Sequence, residues 1–353
     1  MPRLVQELPA GPLAILGDIH GEIDALDALL GRLAKLPEPR GLVFVGDLVD
    51  RGPDSLAVLR RVRGLVERGL ARVVAGNHEL NLLQRDRKQG NGWFFGDSED
   101  FAHVDGVGKV RFESRLLRPD QQAEVLDFCG SMPLMLQRED LRVVHACDAE
   151  ASLAALPEYG DIAALDGAFA EKIYEDLAQR GVPDRAQAER ARFSGLRVRE
   201  DRPDVHLHNV AEEDAAHQNR NPVKVLTSGA EHELAPGKHF YIGGKWRFVT
   251  RDRWWARRGA EVPTVVGHYW RRRGAPIPGK LDVWDDVPSF SWCNRVFCVD
   301  YSVGRRYAER ARGRSAGFDG GLAALLWPEA KLIWDDSDAL TPTEGLVRRA
   351  PLH

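Results

Sequence analysis

The feature that most restricts this chain is a repeated one: short apolar, β-branched runs that each break off at a polar cluster. Leu13-Ala14-Ile15-Leu16 leads into Gly17-Asp18-Ile19-His20-Gly21, and Leu42-Val43-Phe44-Val45 into Gly46-Asp47-Leu48-Val49-Asp50-Arg51-Gly52. Arg72-Val73-Val74-Ala75 leads into Gly76-Asn77-His78-Glu79, Leu141-Arg142-Val143-Val144 into His145-Ala146, and Pro263-Thr264-Val265-Val266 into Gly267-His268. Arg295 to Val299 is a further run of the same kind. All are strand-sized, far short of the roughly 20 residues that cross a bilayer. Apolar residues between the first three runs fall at helical spacing, Ile23, Leu26, Leu30 and Leu33, then Leu56, Leu59, Val62 and Val66, and the third run leads into a helix near Glu79 to Gln84. Consecutive βα units predict parallel strands joined by helical crossovers, an α/β architecture.

The chain has 353 residues, room for one large domain. Its 49 Lys and Arg against 53 Asp and Glu leave a net charge of −4, and 43% of the residues are hydrophobic. That excludes a protein that coats nucleic acid and a disordered acidic tail. Cys129, Cys147, Cys293 and Cys298 form no CxxC pair, and no charged segment followed by a long apolar one opens the chain. A reduced, cytoplasmic setting without membrane attachment is expected, with the cysteines as small apolar residues. Residues 149–261 differ in character: rich in Ala and charge, periodic from Ile162 to Leu177, and carrying Trp246, Trp254 and Trp255. They read as a largely helical insertion or cap within a single domain spanning 1–353.

Ligands of open α/β sheets bind at the carboxyl ends of the strands, so the five clusters are expected to converge although they span 250 residues. Asp, His and Asn form a hard-to-borderline ligand set suited to Mn, Fe or Zn with no thiolate. One carboxylate in such a set can bridge two metals about 3.5–4 Å apart for in-line attack on phosphorus.

The blocks at Gly17, Gly46 and Gly76 resemble the three signature blocks of the phosphoprotein-phosphatase branch of calcineurin-like metallophosphoesterases, which neighbours the symmetrical diadenosine tetraphosphatases. The likeness covers roughly residues 10–148 and 262–303. It implies a four-layer α/β fold, a central β-sandwich flanked by helices. It also implies that Asp18 and His20 hold one divalent metal, that Asp47 bridges, and that Asn77, His145 and His268 hold a second. The metals would be Mn, with Fe or Zn as alternatives. His78 would be the general acid, oriented by Asp50, and Arg51, with Asn77, would contact the phosphate. Gly267-His268-Tyr269-Trp270 lacks the second His of the Gly-His-x-His found in many metallophosphoesterases, in keeping with the protein-phosphatase branch.

The expected function is therefore hydrolysis of phosphomonoesters by a dinuclear enzyme, on phosphoserine or phosphothreonine proteins among other phosphorylated substrates. A dinucleoside polyphosphate (nucleotide) hydrolase is the alternative, and a non-catalytic metal-binding module a third reading. No nucleic-acid or membrane partner is expected. Glu79 reads as a helix-start carboxylate, the tryptophans as core, and His103, His206, His208, His217, His232 and His239 as solvated. His206-Leu207-His208 lacks the strand-ending glycine context of the other clusters. Arg271 to Arg273 read as a solvated loop or a second anion contact, and Tyr301 as a candidate neighbour of the metals.

Overall fold

The computed structural model describes residues 1–242, 244–259, 262–274, 283–284 and 286–346. Two sheets form its centre. One has six strands in the order Ser337–Pro342, Lys331–Trp334, Ala323–Trp327, Leu13–Leu16, Gly41–Phe44, Ala71–Val73. The last three are parallel and joined through the helices Ile23–Leu33 and Ser55–Glu67, as the apolar spacing predicts. The other has five, in the order Val5–Glu7, Met135–Arg138, Leu141–Val144, Thr264–Val266, Val296–Cys298, and again its last three are parallel.

Alternation along the strands sorts side chains into layers. Ile15, Val43 and Val74 meet Val143, Val265 and Phe297 in a buried cluster between the sheets. Ala14, Leu16 and Phe44 belong to a second cluster with the helix residues Leu26, Leu29, Leu59 and Val62. Val144, Val266 and Cys298 join that cluster too, along with Val223 and Leu226 from the helix Pro222–Ser228. The result is the layered helix–sheet–sheet–helix arrangement.

Between the adjacent parallel strands Leu141–Val144 and Thr264–Val266 the chain builds the helices Glu150–Ala154, Ile162–Gln179, Val182–Ala191, His208–Asn219 and Pro222–Ser228. It also forms two short antiparallel pairs, Glu231–Glu233 with Val249–Arg251 and Phe240–Ile242 with Lys245–Arg247, which the helical reading of this stretch did not anticipate. Glu261, the expected end of the insertion, lies outside the described residues. The helices Ile162–Gln179 and Pro222–Ser228 pack on Asn77–Leu83, the helix that begins in the third polar cluster. Asn221 ties the first two together by donating from Nδ2 to the Asp166 carbonyl (3.0 Å) and carboxylate (2.8 Å). No described helix is long and apolar enough to cross a membrane.

Candidate metal centre

Six parallel strands, three from each sheet, end at the same edge, and each delivers one polar cluster there. The first two clusters are laced by backbone bonds: Ile19 and His20 N–H both donate to Asp47 O at 3.0 Å, and Gly21 N–H donates to Leu48 O at 2.9 Å. The second and third are joined by Glu79. Its fully buried carboxylate accepts from the N–H groups of Asp47 (2.9 Å), Leu48 (2.8 Å) and Gly76 (2.9 Å). Glu79 is thus the helix-start carboxylate expected, and it also braces two loops. His20, Asp47, Asp50, Arg51 and His268 all adopt left-handed φ between 48° and 78°, a conformation unfavourable for side-chain-bearing residues that persists only where neighbours impose it. Two glycines make room: a Cβ on Gly76 would lie 2.2 Å from Asp47 Oδ1, and one on Gly267 would lie 2.1 Å from Asp18 Oδ1.

Asp47 lies at the middle. Its Oδ2 is 3.9 Å from His20 Nε2 and 3.8 Å from His78 Nε2, while its Oδ1 is 3.3 Å from His145 Nε2. Asp18 Oδ2 is 4.0 Å from His20 Nε2, and both its oxygens accept from His268 N–H. Two groups of ligand atoms converge, His20, Asp47 and His78 on one side and Asp47, His145 and His268 on the other. The structure thus brings all six expected ligands, Asp18, His20, Asp47, Asn77, His145 and His268, to one place.

Three buried polar atoms here, Asn77 Oδ1, His145 Nε2 and His268 Nε2, have no hydrogen-bond partner, a costly condition that a cation relieves. The tautomers agree. His20 Nδ1 donates to Val49 O (3.0 Å) and His145 Nδ1 to Val45 O (2.6 Å), and because a carbonyl only accepts, the Nε2 lone pairs face the centre. The residues therefore fit a pair of divalent ions.

Charge leads to the same conclusion. Burial, Asp300 and Asp47 push the Asp18 carboxyl well above its ordinary value, and burial keeps the Asp300 carboxyl high as well. Burial works on Asp47 in the same direction, but His145, His78 and His20 hold it well below the usual carboxylate range. Burial and Arg51 keep His20 deprotonated, and burial and Arg251 do the same for His268. Burial opposes the protonation of His145, but Asp47 beside it prevails and raises its affinity for a proton. Clustered carboxylates facing imidazole lone pairs are what a metal cation replaces protons on.

His78 Nδ1 donates to Asp50 Oδ2 at 2.5 Å, and Asp50 Oδ1 accepts from Trp93 Nε1 at 2.7 Å. Arg51 Nη1 and Nη2 donate to His20 Nε2 and His78 Nε2, each at 3.1 Å, so His20 can give Nε2 to a metal only by releasing Arg51. Arg51 also lies over the Trp270 ring at 5.3 Å, and Arg251 faces the same ring at 5.8 Å. A polar cleft of ≈ 240 Å³ opens beside Asn77, lined in part by Lys88, Lys224, Arg247 and His217.

Trp93, Asp300, Arg251 and Trp270 were missed at the sequence level. Asp300 was readable, since it follows the sixth apolar run as Asp18 follows the first. Tyr301 is a correction: it packs between the sheets against Trp334 and donates to Ser289 O at 2.8 Å, away from the centre. Arg271 is another, being buried, capped by the carbonyls of Val287, Pro288 and Ser291 and stacked over Trp284. Arg273 pairs with Asp335 and Asp336. Trp246, Trp254 and Trp255 are core residues, as expected. His206 and His239 are not solvated: the His206 side chain is 4% exposed, and His239 stacks on Phe248.

Residues 11–131 match the family model described as calcineurin-like phosphoesterase. A symmetrical bis(5'-nucleosyl)-tetraphosphatase of Erwinia tasmaniensis is 31% identical over 214 residues, 56% of this chain and 71% of the relative. The chain belongs to the calcineurin-like phosphoesterases. A second symmetrical bis(5'-nucleosyl)-tetraphosphatase, from Pectobacterium atrosepticum, is 33% identical over 189 residues, 51% of this chain. This calcineurin-like phosphoesterase spans only 61% of that relative's length. The crystal structure of a cold-active protein-tyrosine phosphatase from a psychrophilic Shewanella aligns over 96% of this chain and 83% of its own at 15% identity, with a TM-score of 0.42, too loose to bear on substrate.

Asp18→Asn should raise the thermal midpoint of the metal-free protein by a few degrees at neutral pH, since it removes the cost of burying a carboxyl that binds its proton more tightly folded than unfolded, yet still accepts from His268 N–H. Added Mn²⁺ should then stabilise it less than it stabilises the wild type, whose midpoint should shift clearly upward in scanning calorimetry. Glu79→Ala leaves three buried N–H groups unpaired, at about 1–3 kcal/mol each. Urea unfolding should register that loss, and a change below about 1 kcal/mol would deny Glu79 its bracing role.

Proposed function

We propose that this phosphoesterase hydrolyses a dinucleoside polyphosphate, with water attacking one phosphorus, one P–O bond breaking, and a nucleoside phosphate leaving. The reading departs from the phosphomonoester and phosphoprotein preference expected from the motifs. The observation that carries it is the relatives' activity: both are symmetrical bis(5'-nucleosyl)-tetraphosphatases. The cationic rim supports it, because Arg51 and Arg251 flank Trp270 and can hold more than one phosphate of a chain, while an indole face suits a nucleobase.

Asp18, His20, Asp47, Asn77, His145 and His268 would hold divalent ions, which would supply acidified water and charge that offsets the phosphoryl oxygens. The remaining work falls to the chain itself. Arg51 moves from the two imidazoles to the phosphoryl oxygens as a two-pronged donor. Once Arg51 has left it, His78, held by Asp50 and through it by Trp93, takes up a proton from water on Nε2 and passes it to the departing oxygen. Residues 149–261 act as a cap over the substrate, because the segment leaves the ligand edge just after the proposed ligand His145, and the polar cleft lies between it and the helix Asn77–Leu83.

Comparing kcat/KM for a dinucleoside tetraphosphate and a phosphoserine peptide with Mn²⁺ tests the reading, and the peptide being preferred would overturn it. Arg251→Ala should raise KM for the dinucleotide about 10-fold or more, the worth of one charge-assisted contact, and leave a small aryl phosphate unaffected. His78→Ala should slow alkyl phosphates by about 10²–10⁴-fold and nitrophenyl phosphate far less, since the latter leaves as a weak base. Equal losses on the two would remove His78 from the acid role.

A further inference from the structure

The segment 149–261 has a small core of its own, separate from the sheets: Ala186, Phe193, Leu196, Leu207, Val210, Ala211, Trp246, Phe248 and Val249. Between Leu196 and the helix His208–Asn219 the chain has no regular structure. It is tied down by a few contacts, such as Trp246 Nε1 donating to Val198 O at 3.1 Å and Tyr241 OH donating to Arg197 O at 2.9 Å. Cores of this size commonly need a covalent or metal staple.

Leu207, with φ −103° and ψ 86°, precedes the helix, and its side chain is buried in that core. His206 and His208 on either side of it come together, with ring centroids 4.5 Å apart. Both meet one atom. His206 Nε2 and His208 Nδ1 each lie 2.7 Å from Oε1 of Glu233, on the strand Glu231–Glu233. The imidazoles stand edge to face at 4.5 Å, and His206 is held against Phe248 on its other flank.

We propose that His206, His208 and Glu233 form a further divalent-metal site, of the zinc class, that clamps the start of the helix His208–Asn219 to the strand Glu231–Glu233. Two imidazole nitrogens and one carboxylate are a zinc donor set, and in a tetrahedron with bonds of about 2.0–2.1 Å the donors stand about 3.3 Å apart. The three donor atoms all lie within 4.8 Å of one another. His208 and Glu233, with side chains 71% and 42% exposed, are free to open by that small amount, whereas buried His206 fixes the position. Their exposure also leaves water a fourth position. The ion is separate from the catalytic centre, and its role is to hold the irregular segment 197–207 in place.

The test compares wild type with His208→Ala and Glu233→Gln, each equilibrated with Zn²⁺, passed through a desalting column and analysed for metal. Each variant should hold one equivalent less than wild type, whatever the catalytic centre retains. Zn²⁺ should raise the thermal midpoint of wild type by about 5 °C at concentrations well above its dissociation constant, and of neither variant by more than the shift arising at the catalytic centre. Turnover of an aryl phosphate with Mn²⁺ should stay within about twofold in the variants, since His208 and Glu233 are neither proposed ligands of the catalytic centre nor among the residues placed at the phosphate. Replacing Zn²⁺ by Co²⁺ should give a visible absorption band in wild type that both variants lack. Equal zinc content in the three proteins, or an identical Co²⁺ spectrum, would show that Glu233 merely ion-pairs with the two histidines and would overturn the proposal.

Discussion

Three carboxylates, Asp18, Asp47 and Asp300, are buried together, and three neighbouring polar atoms, on Asn77, His145 and His268, lack partners. Such an arrangement is tenable in a protein interior only when positive charge joins it. Without that charge Asp18 and Asp300 hold on to protons, while Asp47 leans on the surrounding imidazoles. The rest of the fold is organised to keep these groups from moving apart: six strands end at one edge, Glu79 pins two loops, and five site residues are held in left-handed backbone.

This explains why the glycines stand where they do. Gly76 and Gly267 allow Asp47 and Asp18 to approach the neighbouring backbone more closely than any Cβ permits. Stability is thereby surrendered at the centre and recovered in the sandwich, where Ile15, Val43, Val143, Val265 and Phe297 are sealed between sheets. Catalytic polarity and hydrophobic stability alternate along the same strands.

Much of this was legible in the sequence, because each parallel strand is a short apolar run whose end is marked by a change of chemistry. The six expected ligands, His78, Asp50 and Arg51 all lie in such clusters and meet in space. What escaped was set by side-chain parity and by distant partners. Phe297, Val299 and Tyr301 share one face and fill the space between the sheets, so Asp300, of opposite parity, turns toward the centre in place of the expected Tyr301. Trp93 is 43 positions from the Asp50 it supports, and Arg271 is satisfied by carbonyls 16 to 20 residues away, so nothing local announces either. His206 and His208 read as surface residues until the strand Glu231–Glu233 is placed beside them.

The account turns on Asp47, whose two carboxylate oxygens face the two groups of ligand atoms. Its most direct test is the Mn²⁺ content and turnover of Asp47→Asn, measured with wild type after equilibration in Mn²⁺. The account predicts that the variant loses one equivalent of metal and at least ~10³-fold in kcat, the order expected when the site that prepares the attacking water is dismantled. A variant that kept the full wild-type metal content and turned over normally would contradict it.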